Sequence, residues 1–261
     1  MIRRFGICFS QRTWLVMLLF FTATSCNRRR SNCVPTEYPP IGSAPILLFV
    51  GTGTSPCDVV ALQTILDNQK LNYETVNSAQ LNALSEAALS KYKLAIFPGG
   101  NFIAMGKSLT TASARNIQTA VHNGLNYLGI CAGAFLAGNS KYYNGFNLTG
   151  ITFDFYSAEG KGAHKLTVPI QLATGSPMDQ YWEDGPQLSG WGAIVGKYPD
   201  GTPAITEGSS RKGWIILTGT HTEAPEQWHA KMDFYTSAAT SKKYAATIIR
   251  AALTKTVLPH Y

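Results

Sequence analysis

A cysteine stands between two glycines in the stretch Gly-Ile-Cys-Ala-Gly, which runs from Gly129 through Cys131 to Gly133. This Gly-x-Cys-x-Gly pattern lies between an apolar run and a run of small residues, and it predicts a tight strand-to-helix turn that presents a nucleophile. At such a turn the positive end of the helix dipole favours the thiolate, and the next N–H can donate to an oxyanion. The plainer alternative is a buried structural cysteine at a Gly-rich turn. We predict that Cys131 is a nucleophile.

A histidine and a glutamate follow a second apolar run, Gly-Trp-Ile-Ile-Leu-Thr-Gly at 213–219. His221 comes two residues after this run, and Glu223 two residues after the histidine. An imidazole beside a thiol can take its proton, and a carboxylate can hold the tautomer and orientation of that imidazole. We therefore predict a catalytic triad of Cys131, His221 and Glu223. The other histidines lack such a context and are assigned no role: His122, His164, His229 and His260.

A third stretch, Pro-Gly-Gly-Asn at 98–101, ends another apolar run. Its glycines would bring a second backbone N–H to the point at which the N–H after the cysteine arrives. We predict an oxyanion-binding or substrate-binding role for Gly99, Gly100, Asn101 and Ala132. The Gly-rich loop at 51–53 would line the same pocket, with Cys57 and Asp58 facing it.

The elements that position these residues alternate along the first half of the chain. Strand-like apolar runs lie at 45–51, 71–77, 93–100 and 126–130, with helix-like stretches between them, including 78–91 and 110–123. Asp58 is a candidate cap for the first helix. After Asn139, short runs rich in Thr, Val and Ile alternate with Gly and Pro and predict hairpins, before a helical region at about 225–255.

This order predicts an α/β fold with a mostly parallel central sheet and added β-hairpins in the second half. Ligands of open parallel sheets bind beyond the carboxyl ends of the strands. Each of the three stretches that carry candidate site residues lies at the carboxyl end of a predicted strand. We therefore expect the three to meet at that edge of the sheet.

The N-terminus reads as an export signal. Arginines precede an apolar core that is too short to span a membrane, and Ala-Thr-Ser at 23–25 stands before Cys26 as in a bacterial lipobox. We predict a signal peptide at 1–25, lipidation of Cys26, a polar linker at 26–44 and one domain at 45–258. The protein would then be an envelope lipoprotein that faces the periplasm, held at the membrane by its lipid. An ordinary cleaved signal with an incidental cysteine is the alternative.

Composition limits the classes of partner and cofactor. Of the net charge of +7, three arginines belong to residues 1–25 and a further cluster, Arg28 to Arg30, lies in the linker. We therefore expect no nucleic-acid binding. Compact metal-ligand spacings are missing from the sequence, so neither a metal nor another cofactor is expected. Cys33 and Cys57 are candidates for a disulfide in an oxidising compartment.

The stretches Pro-Gly-Gly-Asn, Gly-Ile-Cys-Ala-Gly and Thr-His-Thr-Glu, in this order, resemble those of the class I glutamine amidotransferase-like superfamily. More narrowly, LGICAGAFLAG followed by LTGTHTEAPEQW is similar to the N-terminal-domain family of biotin protein ligases, which also occurs as stand-alone bacterial proteins. The resemblance covers about residues 45–255. It implies a flavodoxin-like three-layer sandwich, with Cys131 as nucleophile, His221 as base and Glu223 as its orienting acid. Gly100 and Ala132 would supply the oxyanion N–H groups.

The sequence leaves two functions open. In the first, the domain hydrolyses an amide through a thioester on Cys131. In the second, the same pocket binds or senses a small amide or carboxylate without turnover. We expect no transfer of ammonia to a synthetase domain, and the sequence does not identify a protein partner.

Overall fold

The computed structural model describes residues 42–157, 165–230 and 232–261. The chain divides into two units, Met1–Asn32 and Cys33–Tyr261, and all described residues lie in the second. The predicted signal peptide, the lipidation site Cys26, most of the linker, Cys33 and His164 lie outside the described residues. Among the helices that are described, none combines the length and apolar character needed to cross a membrane.

The described residues build one nine-stranded sheet with the strand order β2-β1-β3-β4-β9-β8-β7-β5-β6. The strands are β1 (Ile46–Phe49), β2 (Tyr73–Val76), β3 (Leu94–Phe97), β4 (Asn126–Ile130), β5 (Lys165–Leu172), β6 (Pro177–Glu183), β7 (Ala193–Lys197), β8 (Pro203–Ser210) and β9 (Gly213–Thr218).

The sheet is parallel in one half and antiparallel in the other. Strands β2, β1, β3, β4 and β9 pair in parallel, in the order expected of a flavodoxin-like sheet. From β9 to β6 every neighbouring pair is antiparallel. The expectation of a mostly parallel sheet is therefore matched only in part, because the predicted hairpins continue the same sheet from β9 outward.

Eight helices lie within the described residues: α1 (Pro56–Asn68), α2 (Ser78–Ala83), α3 (Glu86–Leu89), α4 (Phe102–Ser108), α5 (Thr111–Asn123), α6 (Ala132–Ala137), α7 (Glu226–His229) and α8 (Ala238–Thr254). The single helix expected at 78–91 is in fact two, because Ser85 has extended backbone and its side chain caps α3 by accepting the N–H of Ala88. Helix α4 has no counterpart in the sequence prediction.

The two faces of β1 show why the fold has three layers. Ile46 and Leu48 pack into a core that includes α1 and α8, whereas Leu47 and Phe49 pack into the core of α2, α5 and α6. Because side chains alternate along a strand, a strand that is apolar at every position must be covered on both faces. The sheet is accordingly enclosed between two helical layers.

Candidate active site

Cys131 stands on a sharp turn between β4 and α6. Its backbone has φ 47° and ψ −101°, a conformation rare for a residue with a side chain. Its N–H donates to the carbonyl of Thr218 at 2.7 Å, which ties the turn to β9. Such a conformation costs about 1–3 kcal/mol and persists only where the surrounding structure holds it. The strained turn predicted from Gly-x-Cys-x-Gly is therefore present.

The two flanking glycines are required by close approach of the backbone. A Cβ at Gly129 would lie 2.6 Å from the carbonyl oxygen of Gly133, and a Cβ at Gly133 would lie 2.0 Å from that of Phe97. Both contacts are far inside van der Waals distance. The pattern in the sequence thus reflects the crossing of α6 over β3 and β4.

His221 follows the end of β9 and is buried at 3% exposure. Its backbone N–H donates to the carbonyl of Tyr181 at 2.8 Å, which fixes the backbone of His221 against β6. Its ring Nδ1 lies 3.0 Å from Oδ1 of Asp58 and 3.1 Å from Oε1 of Glu223. Two carboxyl groups therefore share one imidazole nitrogen.

The sequence placed Asp58 at the pocket but gave it no contact with the histidine of the triad. Asp58 faces the pocket as expected, but it does not cap α1, since the side chain of Ser55 accepts the helix N–H group instead. Asp58 is fully buried and its carboxylate reaches His221, which is 163 residues away in the chain. Its position just after the loop that follows β1 is the signal that could have placed it at the active edge of the sheet.

The charges of the three groups depend on one another. Burial opposes charge on the ring, but attraction from Asp58 and Cys131 raises the pKa of His221 well above its ordinary value. Burial also opposes ionisation of Asp58, yet its interaction with His221 lowers the pKa of this carboxyl. Burial raises the pKa of Glu223 to about 7, and repulsion from the charge of Asp58 adds to this effect, although the interaction with His221 opposes it. The resulting pair is an imidazolium beside an ionised Asp58.

The remaining oxygens of the two acids, Oδ2 of Asp58 and Oε2 of Glu223, are buried without a hydrogen-bond partner of their own. A proton on Glu223 would serve both, since the two carboxyl groups lie close enough to interact. Asp58, His221 and Glu223 are also a possible set of metal ligands, with ligand atoms within 4.8 Å of one another. Because the acids already hold Nδ1 of His221, the hydrogen-bonded arrangement accounts for the geometry without an ion.

A cavity of about 680 Å³ opens onto these groups. It is lined by Ser55, Asp58, Gly100, Asn101, Phe102, Ile103, Cys131, Phe155, Lys165, Tyr181, Glu183, Asp184, His221, Trp228 and Met232. The thiol of Cys131 contacts the carbonyl of Glu183 at 3.5 Å. Glu223 lies behind the ring of His221 and is fully buried, in the place of an orienting acid.

The predicted oxyanion residues lie around the same point. A Cβ at Gly99 would come 2.3 Å from Cε1 of His221, so this glycine leaves room for the ring. Gly100 lies at the cavity, and its φ of 140° is accessible to glycine. Asn101 caps α4 through its side-chain oxygen, and its N–H donates to Gly53, so only its side-chain amide hydrogens remain for a ligand.

Residues 44–165 match the family model described as biotin-protein ligase, N terminal. The matched region includes Cys131 and Asp58 and stops before His221 and Glu223. No curated protein sequence matches the chain.

Solved structures share the fold at low sequence identity. A crystal structure of a glutamine amidotransferase matches with a TM-score of 0.51 and 17% identity, over 69% of this chain and 90% of that chain. A protein from Thermoplasma acidophilum, assigned as a component of GMP synthase, matches with a TM-score of 0.50 and 12% identity, over 82% of this chain and 96% of that one. The exo-beta-1,4-mannosidase Op5Man5 from Opitutaceae bacterium strain TAV5 matches at 0.52 and 15%, over 80% of this chain and 36% of the mannosidase.

These likenesses concern the fold alone, and the family match concerns the first part of the domain, from β1 to the start of β5. The chain has a glutamine amidotransferase-like fold, and its residues 44–165 are similar to the family described as biotin-protein ligase, N terminal.

Proposed function

We propose that the domain hydrolyses an amide bond, with Cys131 as nucleophile and His221 as base. One observation carries this proposal: Cys131 stands on a strained turn in the same cavity as His221, whose Nδ1 is bonded by two buried carboxyl groups. A structural cysteine needs neither a strained backbone nor an oriented imidazole beside it. The fold by itself does not dictate an activity, so the proposal rests on the site.

In the first half of the reaction, the thiolate of Cys131 attacks the amide carbonyl carbon, and a C–S bond forms while the carbonyl becomes an oxyanion. The N–H groups of Gly100 and Ala132 would receive this charge, since neither has an acceptor among the described residues. The imidazolium of His221 then gives its proton to the leaving nitrogen. The C–N bond breaks, the amine departs, and a thioester remains on Cys131.

In the second half, the neutral imidazole takes a proton from water, and the resulting hydroxide attacks the thioester carbonyl. The C–S bond breaks, a carboxylic acid leaves, and the thiolate is restored beside the imidazolium. Asp58 and Glu223 hold the ring by Nδ1 throughout, which leaves the other ring nitrogen for proton transfer. The net change is amide plus water to acid plus amine.

The experiment that tests the nucleophile is alkylation by iodoacetamide at neutral pH, followed by mass spectrometry of Cys131. This thiol is the free cysteine of the described residues, because Cys57 is disulfide-bonded. We expect labelling faster than that of glutathione, and slower in His221→Ala, while His122→Ala serves as the matched control. A rate equal to that of glutathione, unaffected by His221→Ala, would overturn the proposal.

Turnover is tested by a screen of amides and peptides for release of amine, with Cys131→Ala as the blank. Hydrolysis that disappears in this variant supports the enzyme. Tight binding of an amide with no turnover in the unaltered protein would support the sensing module instead.

We propose further that the protein is exported and anchored by lipid at Cys26. The support is the order of arginines, short apolar core and Ala-Thr-Ser-Cys in residues 1–26. Processing that is blocked by globomycin and lost in Cys26→Ser is the expected result, whereas globomycin-insensitive cleavage would favour an ordinary signal peptide.

A further inference from the structure

The cavity next to Cys131 has an apolar side that hydrolysis of a small polar amide does not explain. Phe155 and Ile103 line it and remain 53% and 41% exposed, although both are large apolar side chains. Phe102 lines it as well. Such exposure beside a candidate nucleophile is typical of a surface that a ligand covers.

The exposed ring of Phe155 belongs to a preformed aromatic cluster. The rings of Phe102 and Phe135 are stacked with centroids 4.3 Å apart, and Phe155 packs 5.0 Å from Phe135 and 5.8 Å from Phe102. The cluster holds Phe155 from one side and leaves its other side to the cavity. A ring held in this way binds an apolar group at little conformational cost.

A second apolar group lies next to the catalytic histidine. Trp228 lines the cavity, with its ring 4.6 Å from that of Tyr181 and 5.6 Å from that of His221. Met232 adds an adaptable side chain to the same lining. Apolar side chains from α4, from the segment before β5 and from α7 thus line the cavity that contains Cys131.

The charges of the lining do not suit a free amino acid. Lys165, the lysine among the described lining residues, is bonded to Glu183 at 2.9 Å. The hydroxyl of Tyr181 donates to the same carboxylate at 2.6 Å. A ligand carboxylate would have to compete with Glu183 for Lys165. The volume of about 680 Å³ is that of a site for a larger organic ligand.

We propose that the substrate is a peptide-like amide whose acyl part carries a large apolar side chain, aromatic in the best case, and is not free glutamine. This inference rests on the proposed function, since it places the side chain beside the carbonyl that Cys131 attacks. Phe155 and Ile103 would cover the side chain, and the scissile carbonyl would lie between Cys131 and the N–H of Gly100.

The test uses three chloromethyl ketones, derived from N-acetyl-phenylalanine, N-acetyl-glycine and N-acetyl-glutamine. The sulfur of Cys131 attacks the chloromethyl carbon, so that a C–S bond forms, the C–Cl bond breaks and chloride leaves. The second-order rate of labelling is read by intact-protein mass spectrometry and divided by the rate of each reagent with glutathione. We expect the phenylalanine reagent to exceed the other two by about tenfold or more, as burial of part of a phenyl ring would give.

Variants show whether the preference comes from the apolar lining. Phe155→Ala and, separately, Ile103→Ser should each reduce the preference for the phenylalanine reagent severalfold. Tyr142→Ala removes an aromatic ring that is 71% exposed and does not line the cavity, and it should keep the preference unchanged. Circular dichroism and the thermal midpoint establish that each variant is folded.

The outcomes separate the two proposals. Equal rates for the three reagents, or the fastest rate for the glutamine reagent, would overturn the substrate class and leave Cys131 as the nucleophile. Absence of labelling by all three and by iodoacetamide would overturn the proposed function, and the substrate class with it.

Discussion

At the scale of the residue, the imidazole of His221 is held by two carboxyl groups, and their roles differ. Asp58 has a lowered pKa and carries the charge, whereas burial raises the pKa of Glu223 to about 7, so that this group takes up a proton as the pH falls through 7. The triad read from the sequence named Glu223 as the orienting acid. Asp58 is equally well placed to orient the ring, since its Oδ1 lies 3.0 Å from Nδ1 of His221 and Oε1 of Glu223 lies 3.1 Å from the same nitrogen.

Asp58→Asn therefore should slow alkylation of Cys131 by iodoacetamide at pH 7. The amide cannot supply the negative charge that raises the pKa of His221, so less imidazolium is present beside the sulfur that attacks the reagent. We expect a decrease of about tenfold or more, because the histidine that activates the nucleophile loses one of its two orienting acids. The matched control is Asp67→Asn at the exposed end of the same helix. A rate like that of the unaltered protein would assign the orienting role to Glu223 alone.

Glu223→Gln should change how stability depends on pH. The folded-state pKa of about 7 lies above the ordinary value of 4.5, so between these values the folded state binds a proton that the unfolded chain does not. Stability contributed by this proton is present below about pH 4.5 and is lost as pH rises through 7. We expect the thermal midpoint to fall between pH 5 and pH 7.5, and to fall less steeply in Glu223→Gln, which cannot ionise.

Glu226→Gln, an exposed change three residues away, serves as the comparison and should keep the slope of the unaltered protein. His221 adds a decline of the same sign above its ordinary pKa of 6.5, so the comparison is sharpest between pH 5 and 6.5. If the thermal midpoint changed with pH equally in the unaltered protein, Glu223→Gln and Glu226→Gln between pH 5 and 6.5, Glu223 would be ionised throughout that range.

At the scale of the element, the turn at Cys131 depends on how closely α6 crosses the strands. Gly133→Ala would place a Cβ 2.0 Å from the carbonyl oxygen of Phe97, so either α6 or β3 must move. We expect a loss of more than about 2 kcal/mol in the free energy of unfolding, measured by urea denaturation, as for other overpacked buried sites. Labelling of Cys131 should decrease together with stability, because the same movement displaces the turn.

Gly201→Ala separates steric overlap from backbone strain. Gly201 has φ 86°, and a Cβ there would meet nothing within 4 Å, so this variant measures the strain alone. We expect it to cost about 1 kcal/mol. Equal losses in the two variants would mean that α6 accommodates the methyl group and that the close approach is not what requires glycine.

Helices and strands that are apolar throughout could be predicted from the sequence, whereas those that combine polar and apolar residues could not. Strand β4 begins and ends where the pattern placed it, at Asn126 and Ile130, since a buried parallel strand is a short apolar run with clear ends. The stretch at 78–91 has helical composition, but Ser85 caps a new helix and interrupts it. Helix α4 begins at the cap formed by Asn101, a residue that the sequence interpretation assigned to the ligand.

The candidate site divides in the same way. Cys131, His221 and Glu223 could be predicted because each follows a recognisable strand. The bond from Asp58 to His221 could not, because it joins positions 163 residues apart. The contributions of Tyr181 and Glu183 could not be predicted either, since they depend on β6 lying at the far edge of the sheet and returning to the site.

At the scale of the whole molecule, one buried carboxylate holds the segment before β1 against the sheet. Glu74 lies in β2, and its side chain is 1% exposed. It accepts the N–H groups of Gly42 at 2.6 Å and Ala44 at 2.7 Å, and the hydroxyl of Tyr92 at 2.9 Å. The chain is thus bound to the sheet edge just before β1 begins.

Glu74→Gln should therefore lower the stability of the whole domain without acting on the cavity. The amide keeps one acceptor oxygen but replaces the other with a donor that faces N–H groups, so we expect a loss of about 2–3 kcal/mol. Burial raises the pKa of Glu74, whereas the backbone N–H groups of Gly42, Ala44 and Ser43 lower it, and the net direction is downward. A lowered pKa means that the stabilisation is present above the ordinary value of 4.5 and is lost as pH falls through the folded-state value.

The measurement is urea denaturation of the unaltered protein and of Glu74→Gln at pH 7 and at pH 3, with Glu226→Gln as the exposed control. The difference between Glu74→Gln and the unaltered protein should be largest at pH 7 and should shrink at pH 3, because below 4.5 the unfolded chain binds a proton that the folded state disfavours. Because Glu74 does not line the cavity, the rate of Cys131 labelling in the folded variant should stay within about twofold of the original. A large change in that rate would mean that strand β2 is coupled to the cavity through β1 and α1. A change at Glu74 would then affect stability and labelling together.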